Sequence, residues 1–317
     1  MSDFTQYGKV SQEWLAVKDD RPTIPPNLDL KEQQRITHKY REELSTREMK
    51  PLGSPVHVKD YTISARDGAA LEVRTYRPKT AEDGVRLPIY IHLHGGGYVF
   101  GTMATEDAIC TRIAVGSNVT VANLNYRHAP DFVYPIAWND TEDAFHWVHD
   151  HIDELLGIPS QIVVGGSSAG AQLAAALTLR QNVDPGALSR PKIAGQVLIN
   201  KAAIQYFTGL LKVHNPDPQD LRLSPANASS SQVKGLPPTI FGIAGLDPFR
   251  DEGLLFAKKL AEAGVPTDVH VFKGLPHGFR RFGDQLSESK RWDKVIEDGI
   301  KWAISNPEAS GKFEIQV

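Results

Sequence analysis

From residue 56 to the end of the chain, the spacing of apolar residues switches between a pattern typical of strands and a pattern typical of helices. A polar-apolar hairpin with a turn at Asp67-Gly68 is followed by short apolar runs and by longer helical segments. The apolar runs are Leu87–Leu93, Asn118–Tyr126, Gln161–Val164, Ile193–Asn200, Thr239–Ala244 and Thr267–Phe272, and the main helical segments are Ala137–Leu156, Ser168–Asn182, Asp251–Ala263 and Leu286–Asn306. Strands that are apolar throughout are typical of burial on both faces. The pattern therefore predicts an α/β fold, with a mostly parallel twisted sheet of about eight strands covered by helices on both faces.

Residues 1–52 have a different pattern and form a candidate N-terminal arm or cap, which leaves 53–317 as the main domain. Phe4, Tyr7, Val10, Trp14 and Val17 recur at spacings of three and four, which predicts an amphipathic helix. A proline-rich break at 21–27 precedes a mostly polar helix over 30–49. The sequence does not decide whether these helices form a solvated arm or a lid over a pocket.

Composition narrows the class of protein without identifying its chemistry. The chain has 317 residues, 41% hydrophobic and 23% charged, which is ordinary for a globular protein with one large α/β core. The net charge of −3 gives no basic excess for nucleic acid or an anionic membrane. Cys110 is the single cysteine, which fits a reducing compartment, and no apolar run reaches the about 20 residues of a membrane span. We therefore expect a cytoplasmic protein.

The segment 161–173, QIVVGGSSAGAQL, predicts a strand, a sharp turn and a helix. Its turn places Ser168 in a Gly-x-Ser-x-Gly frame made by Gly166 and Gly170, the pattern of a nucleophile elbow. A strained turn of this kind leaves no room for Cβ atoms two residues on either side of the serine. The N–H group of Ala169, at the start of the helix, would point towards an oxyanion. Taken alone, the motif is equally compatible with an ordinary tight turn.

Three consecutive glycines follow the predicted strand Leu87–Leu93, in the segment His94-Gly95-Gly96-Gly97-Tyr98. Consecutive glycines let the backbone approach a substrate and turn two N–H groups the same way. Beside a nucleophile elbow, we expect Gly96 and Gly97 to complete an oxyanion hole with Ala169. His94 is expected to orient this loop and not to act as a base.

An aspartate and a histidine follow two later strands. Asp247 comes directly after Thr239–Ala244, and His277 lies in a glycine-flanked loop after Thr267–Phe272. The carboxyl ends of parallel strands meet at the edge where α/β proteins bind ligands. The order serine, aspartate, histidine is that of a hydrolase triad, in which His277 would be the base and Asp247 would fix its tautomer.

Five ordered segments resemble the hormone-sensitive-lipase-like family of α/β-hydrolase carboxylesterases. They are HGGGYVFG (94–101), YRHAPD (126–131), GSSAG (166–170), LDPFRDEG (246–253) and HGF (277–279). The resemblance implies an α/β-hydrolase fold with a helical cap and hydrolysis of short- or medium-chain esters without a metal or other cofactor. It also leaves open a homodimer paired through the last strand. The whole chain is similar, too, to fungal esterases of toxin and polyketide pathways.

Three positions depart from the family pattern. Ser167 stands where the family usually has an aspartate beside the nucleophile, and Gln172 stands where a smaller residue or asparagine is common. The cap segment 201–223 is shorter than usual. Pocket depth and substrate are therefore not carried over from the family.

The remaining aromatic and histidine residues have alternative interpretations. Tyr98, Phe207, Phe249 and Phe279 lie near predicted strand ends or in the cap, where they would either line a substrate pocket or pack in the core. The cluster of His146, His149 and His151 could suggest a metal, but these positions do not share one helix face, so we expect a solvated surface and no metal site.

Three functions compete on this evidence. The leading hypothesis is hydrolysis of a carboxylic ester through an acyl-enzyme on Ser168. A second keeps the fold and changes the reaction to lactonisation, cyclisation or dehydration in secondary metabolism. A third is a ligand receptor, since plant gibberellin receptors resemble the same family; those receptors lack the histidine that is present here as His277.

Overall fold

A single eight-stranded sheet organises the computed structural model, which describes residues 3–20, 27–184, 192–199 and 208–317. The strands are β1 (Val56–Ser64), β2 (Ala70–Pro78), β3 (Leu87–Leu93), β4 (Thr120–Asn125), β5 (Gly157–Ser167), β6 (Ile193–Ile199), β7 (Thr239–Ala244) and β8 (Thr267–Phe272). Their order in the sheet is β1-β2-β4-β3-β5-β6-β7-β8. The pairs β1–β2 and β2–β4 are antiparallel and all later pairs are parallel. The predicted fold class is confirmed.

Helices cover both faces of this sheet. They are α1 (Gln12–Val17), α2 (Leu30–Leu52), α3 (Met103–Ser117), α4 (Ile136–Asp150), α5 (Ala169–Val183), α6 (Thr208–Leu211), α7 (Ser230–Val233), α8 (Arg250–Glu262) and α9 (Glu288–Ile304), with 3-10 turns at Thr5–Tyr7, Pro225–Asn227 and Phe279–Gln285. One apolar core lies under α4, α5 and α8 and includes Phe145, Leu173 and Leu254, while the other lies under α3 and α9 and includes Cys110 and Trp292. Of the helices in these ranges, none is long and apolar enough to cross a membrane.

The N-terminal region differs in part from its prediction. The amphipathic pattern from Phe4 to Val17 forms a 3-10 turn and the short helix α1, because Gly8 interrupts it, while Phe4 and Tyr7 are buried on the main domain. The polar helix matches α2, which runs to Leu52. Residues 21–26 of the predicted break, and 201–207 of the predicted cap segment, lie outside the described residues.

The edge of β8 carries part of the C-terminal tail. The N–H of Val271 donates to the carbonyl oxygen of Gln316 at 2.8 Å, and the N–H of Gln316 donates to Val269 at 2.8 Å. This short parallel bridge covers one point of an edge that would otherwise present unpaired backbone groups.

Candidate active site

The turn between β5 and α5 holds Ser168 in a strained conformation. Its backbone has φ 55° and ψ −118°, a combination that non-glycine residues rarely adopt and that is concentrated at functional sites. A Cβ atom on Gly166 or on Gly170 would overlap the carbonyl oxygen of Leu93 at the end of β3. Both glycines are therefore required by the close approach of the neighbouring strand, as the Gly-x-Ser-x-Gly spacing predicted.

Three side chains from three strand ends meet in one hydrogen-bonded chain. His277 Nε2 lies 2.9 Å from Ser168 Oγ, and His277 Nδ1 lies 2.7 Å from Asp247 Oδ2. Asp247 is only 5% exposed, and its other oxygen accepts the backbone N–H of Phe249 at 2.9 Å. The carboxylate thus holds the imidazole so that the other ring nitrogen faces the hydroxyl. The structure brings together the residues that the sequence separates by 79 and 30 positions.

The glycine loop after β3 runs alongside this turn. Gly96 and Gly97 have φ of 144° and 64°, and a Cβ built on Gly95 would lie 3.3 Å from the Cβ of Ser168. Within the described part of the chain, the N–H groups of Gly96, Gly97 and Ala169 donate to no backbone or side-chain acceptor. Free N–H donors beside a serine hydroxyl are what binding of an oxyanion requires.

A group of histidines supports the glycine loop from behind. His94 is fully buried, its ring stacks on Tyr126 at 4.2 Å, and its Nε2 lies 3.4 Å from Nε2 of His128. Burial lowers the pKa of His94 to about 4. Burial, together with the neighbouring His94 and His38, also holds the pKa of His128 well below its ordinary value. Both rings therefore bind a proton only weakly and stay neutral at pH 7, which makes them poor general bases that pack against the loop.

Helix α2 lies across the same loop. The side-chain amide of Gln34 donates to the carbonyl oxygen of Val99 at 2.9 Å, and the N–H of Gly101 donates to Nε2 of His38 at 3.0 Å. Thr102 donates to Glu42 at 2.8 Å. The N-terminal helix is therefore bonded to the segment that forms one wall of the site.

A cavity of about 590 Å³ opens beside Ser168 and His277. It extends between α2, α3 and α9, where its wall is largely apolar and includes Leu44, Ile109 and Trp292. Phe249 also lines it, as predicted. A pocket of this size, mostly apolar with a few polar groups, is typical of a small-molecule site.

Two of the predicted pocket aromatics lie elsewhere. Tyr98 is 2% exposed and stacks on Trp138 at 4.9 Å, and Phe279 is fully buried against Phe272 and Trp292. Tyr98 thus packs in the core against α4, and Phe279 packs in the core between β8 and α9. Their assignment to the substrate pocket is corrected. Phe207 lies outside the described residues.

Several residues of the site were not found from the sequence. Arg41 and Leu44 reach the cavity from α2, and Ile296 reaches it from α9, more than a hundred residues from Ser168. Such residues are identified only once the helices are packed. For Gln172 there was a signal, since it departs from the family pattern: its buried side-chain amide donates to the carbonyl oxygens of Arg222 at 3.1 Å and Leu223 at 2.7 Å.

The histidines of α4 and the turn after it lie outside the cavity. His151 stacks on Trp147 at 4.7 Å, and His149 lies 3.3 Å from Asp150. Within the described ranges, no group of three or more His, Cys, Asp or Glu side chains is arranged to hold a metal ion.

Comparisons with known proteins agree with this geometry. The family model described as alpha/beta hydrolase fold matches residues 90–281. The chain is similar to Esterase LipI of Mycobacterium tuberculosis, with 30% identity over 82% of this chain and 89% of that protein. It is also similar to Carboxylic ester hydrolase LipN of the same organism, with 34% identity over 72% of this chain and 66% of LipN. Among solved structures, an esterase of Pyrobaculum calidifontis superposes with a TM-score of 0.79 and 29% identity, covering 94% of this chain and all of that one.

Proposed function

The chain belongs to the alpha/beta hydrolase fold family of carboxylesterase-type hydrolases, and on that premise we propose that it cleaves short- or medium-chain carboxylic esters through an acyl-enzyme on Ser168. The hydrogen-bonded chain Asp247–His277–Ser168, with distances of 2.7 Å and 2.9 Å, is the observation that carries this proposal. Such a hydrogen-bonded triad supplies an oriented base to a serine hydroxyl that is otherwise a weak nucleophile at neutral pH.

The reaction follows in two halves. His277 Nε2 accepts the Ser168 proton while Oγ attacks the carbonyl carbon, and the negative charge that develops on the carbonyl oxygen is bound by the N–H groups of Gly96, Gly97 and Ala169. His277 then donates the proton to the alcohol, which leaves an acyl group on Ser168. Water attacks this acyl group, again with His277 as base, and the carboxylic acid is released as Ser168 regains its proton. Asp247 keeps the imidazole in the required tautomer and stabilises its charged form.

The N-terminal segment 1–52 acts as the cap of this site in our proposal. Support comes from the bonds that α2 makes to Val99 and Gly101 and from its side chains on the cavity wall. A wall made by a separate helix would exclude water and restrict the size of the acyl or alcohol group.

We further propose a cytoplasmic location and a homodimer paired through β8. The location is supported by the lone, buried Cys110, which fits a reducing compartment. The dimer is proposed from the family resemblance. For β8 to pair with a second copy, the residues around Gln316 would have to leave the part of the β8 edge that they now cover. Sedimentation of the intact protein tests the homodimer directly.

Turnover of p-nitrophenyl esters of increasing acyl length tests the function. Ser168→Ala should lower kcat by up to about 10⁶-fold, as for other triad serines. His270→Gln is a matched control, because His270 also contacts an aspartate, Asp268, at 2.9 Å but does not line the cavity. It should retain wild-type turnover.

Two results would contradict the proposal. Near-normal ester turnover by Ser168→Ala would remove Ser168 as the nucleophile. Labelling of Ser168 by a fluorophosphonate without turnover of any model ester would instead favour lactonisation or cyclisation, in which a group of the substrate replaces water.

A further inference from the structure

The cavity wall carries more charge than a pocket for a purely aliphatic ester needs. Its apolar lining is interrupted by charged side chains from α2, α3 and the loop after His277. They are Arg41, Glu48, Glu106, Arg280 and Arg281. Partly buried charges are costly unless each has a partner, so the partners of this set are informative.

Four of these five side chains already have protein partners. Glu48 forms ion pairs with Arg112 and with Arg280, the latter at 3.0 Å, and Arg280 also contacts Asp293 at 2.6 Å. Glu106 Oε2 lies 2.9 Å from His92 Nε2. Although burial opposes ionisation of Glu106, the hydrogen bond to His92 and the surrounding positive charge, to which Arg281 contributes, lower the pKa of that carboxyl.

Arg41 is the other cation with partners. Its Nη1 donates to the carbonyl oxygen of Gly95 at 3.5 Å, and its guanidinium lies 5.6 Å from the centre of the Phe100 ring. Arg41 therefore fixes the glycine loop and adds positive charge to the same wall.

Arg281 differs from all of them. Over the described ranges, its guanidinium has no hydrogen bond and no ion pair, while its backbone N–H donates to Gly278 at 3.2 Å. Nη1 lies 3.5 Å from the place where a Cβ on Gly278 would stand, so the charged group sits beside the residue that follows His277. The side chain is partly buried and lines the cavity. Burial lowers the pKa of Arg281, although Glu106 and Tyr40 act against this, and the group stays charged at neutral pH.

We propose that Arg281 binds a carboxylate group of the substrate, so that the physiological ester carries a free carboxylate in addition to the ester bond. The planar fork of a guanidinium matches a carboxylate with two parallel hydrogen bonds, and the partly dry wall strengthens them. Glu106 does not serve as the carboxylate partner of Arg281 within the protein, because its carboxylate is bonded to His92. This inference rests on the proposed ester hydrolysis and names the class of ester.

Two matched pairs of esters test the proposal and locate the carboxylate. Mono-p-nitrophenyl adipate and p-nitrophenyl hexanoate differ by a carboxylate on the acyl side; p-acetoxybenzoate and p-acetoxybenzamide differ by one on the alcohol side. We expect the wild type to prefer the charged member of one pair by about tenfold or more in kcat/KM. Arg281→Gln should lose about 10- to 100-fold on that ester, mainly through KM, with the neutral member changed by less than about threefold.

Two further variants control for charge and folding. Arg281→Lys keeps the charge without the fork and should recover part of the loss. Arg35→Gln removes an exposed cation of α2, whose partner Glu32 lies 2.6 Å away, and should behave as wild type on all four esters. Equal turnover of charged and neutral esters by the wild type, or an equal loss on both in Arg281→Gln, would overturn the carboxylate proposal and leave ester hydrolysis standing.

A binding measurement keeps the test independent of turnover. Calorimetric titration of Ser168→Ala with monomethyl adipate and with p-acetoxybenzoate should give, for at least one of the two esters, an affinity that the additional change Arg281→Gln weakens by about tenfold or more. An unchanged affinity for both esters would overturn the proposal even if no ester were hydrolysed, whereas absence of turnover by the wild type would overturn the proposed function alone.

Discussion

Histidines lie on both sides of the elbow, and their surroundings give them opposite characters. His277, at the end of β8, has a buried carboxylate 2.7 Å from one ring nitrogen and a hydroxyl 2.9 Å from the other, and its side chain is 32% exposed. His94, at the end of β3, is fully buried and faces another histidine ring. A carboxylate partner stabilises the protonated ring that general-base catalysis requires, whereas burial beside other histidines excludes it. The partner, and not the residue type, decides which histidine can act as a base.

Among changes around these two histidines, removing the carboxylate partner of His277 should lower kcat the most. Asp247→Asn keeps the size of the side chain, but its amide favours the wrong tautomer of His277, so we expect kcat to fall by about 10⁴-fold, as in other triads. Steady-state ester turnover measures this, and the unfolding midpoint checks that the fold is intact.

The matched control for this variant is the second aspartate–histidine pair. Asp268→Asn breaks the contact between Asp268 and His270, whose 2.9 Å separation is similar but which lies away from the cavity. It should change kcat by less than about twofold. Comparable losses in the two variants would mean that the Asp247 effect arises from general destabilisation.

A smaller effect is expected on the glycine-loop side. In Gly96→Ala the new Cβ would overlap the carbonyl oxygen of Phe100, and φ of 144° disfavours any side chain, so the loop must shift and its N–H groups move off target. Loss of one oxyanion donor typically lowers kcat by about 10²- to 10³-fold. Gly209→Ala is the control, because among the described residues its added Cβ has no atom within 4 Å apart from its chain neighbours and the backbone of its own helix. A Gly96→Ala enzyme with normal kcat would exclude this loop from the oxyanion site.

The smallest effect concerns stability and pH. Because burial lowers the pKa of His94 to about 4 in the folded chain, the unfolded chain, with a pKa of about 6.5, binds a proton that the folded chain does not. The resulting stability is complete above about pH 6.5 and is lost as the pH falls towards 4. Between pH 7 and 5 we expect the free energy of unfolding to fall by about 2 kcal/mol from this residue. Urea unfolding of wild type and His94→Gln measures the difference, and an identical pH slope in both would contradict it.

Local patterns predicted much of the fold. The bounds of β3, β7 and β8 agree with the structure because each is a mostly apolar or alternating run that is followed by a polar or glycine-containing turn. Strand β5 begins at Gly157, earlier than the predicted Gln161, because Gly157 pairs with Leu87 of β3 before a register shift that precedes the pairing of Ile162 with Ile89. Helix α4 ends at Asp150, before the predicted Leu156, in a series of tight turns.

The triad positions followed from the same local patterns, since each residue lies in the turn or loop that follows a strand. The cavity could not be predicted from local patterns, because its wall is formed by α2, α3 and α9, which are distant in sequence. Helix α3 has apolar residues on more than one side because α2 and α9 both cover it, so it lacks a simple amphipathic pattern. Arg281 illustrates the same limit. In the sequence it is one of two arginines that follow HGF. Only the structure distinguishes it, because its guanidinium has no hydrogen bond or ion pair among the described residues.

Peptide mapping after reaction with a fluorophosphonate tests the central claim most directly. The account predicts one adduct, on the peptide that contains Ser168, formed rapidly by the wild type and at least about a hundredfold more slowly by His277→Ala, in which the hydroxyl has no base. An adduct on another residue, or equal rates of labelling in the two proteins, would contradict it.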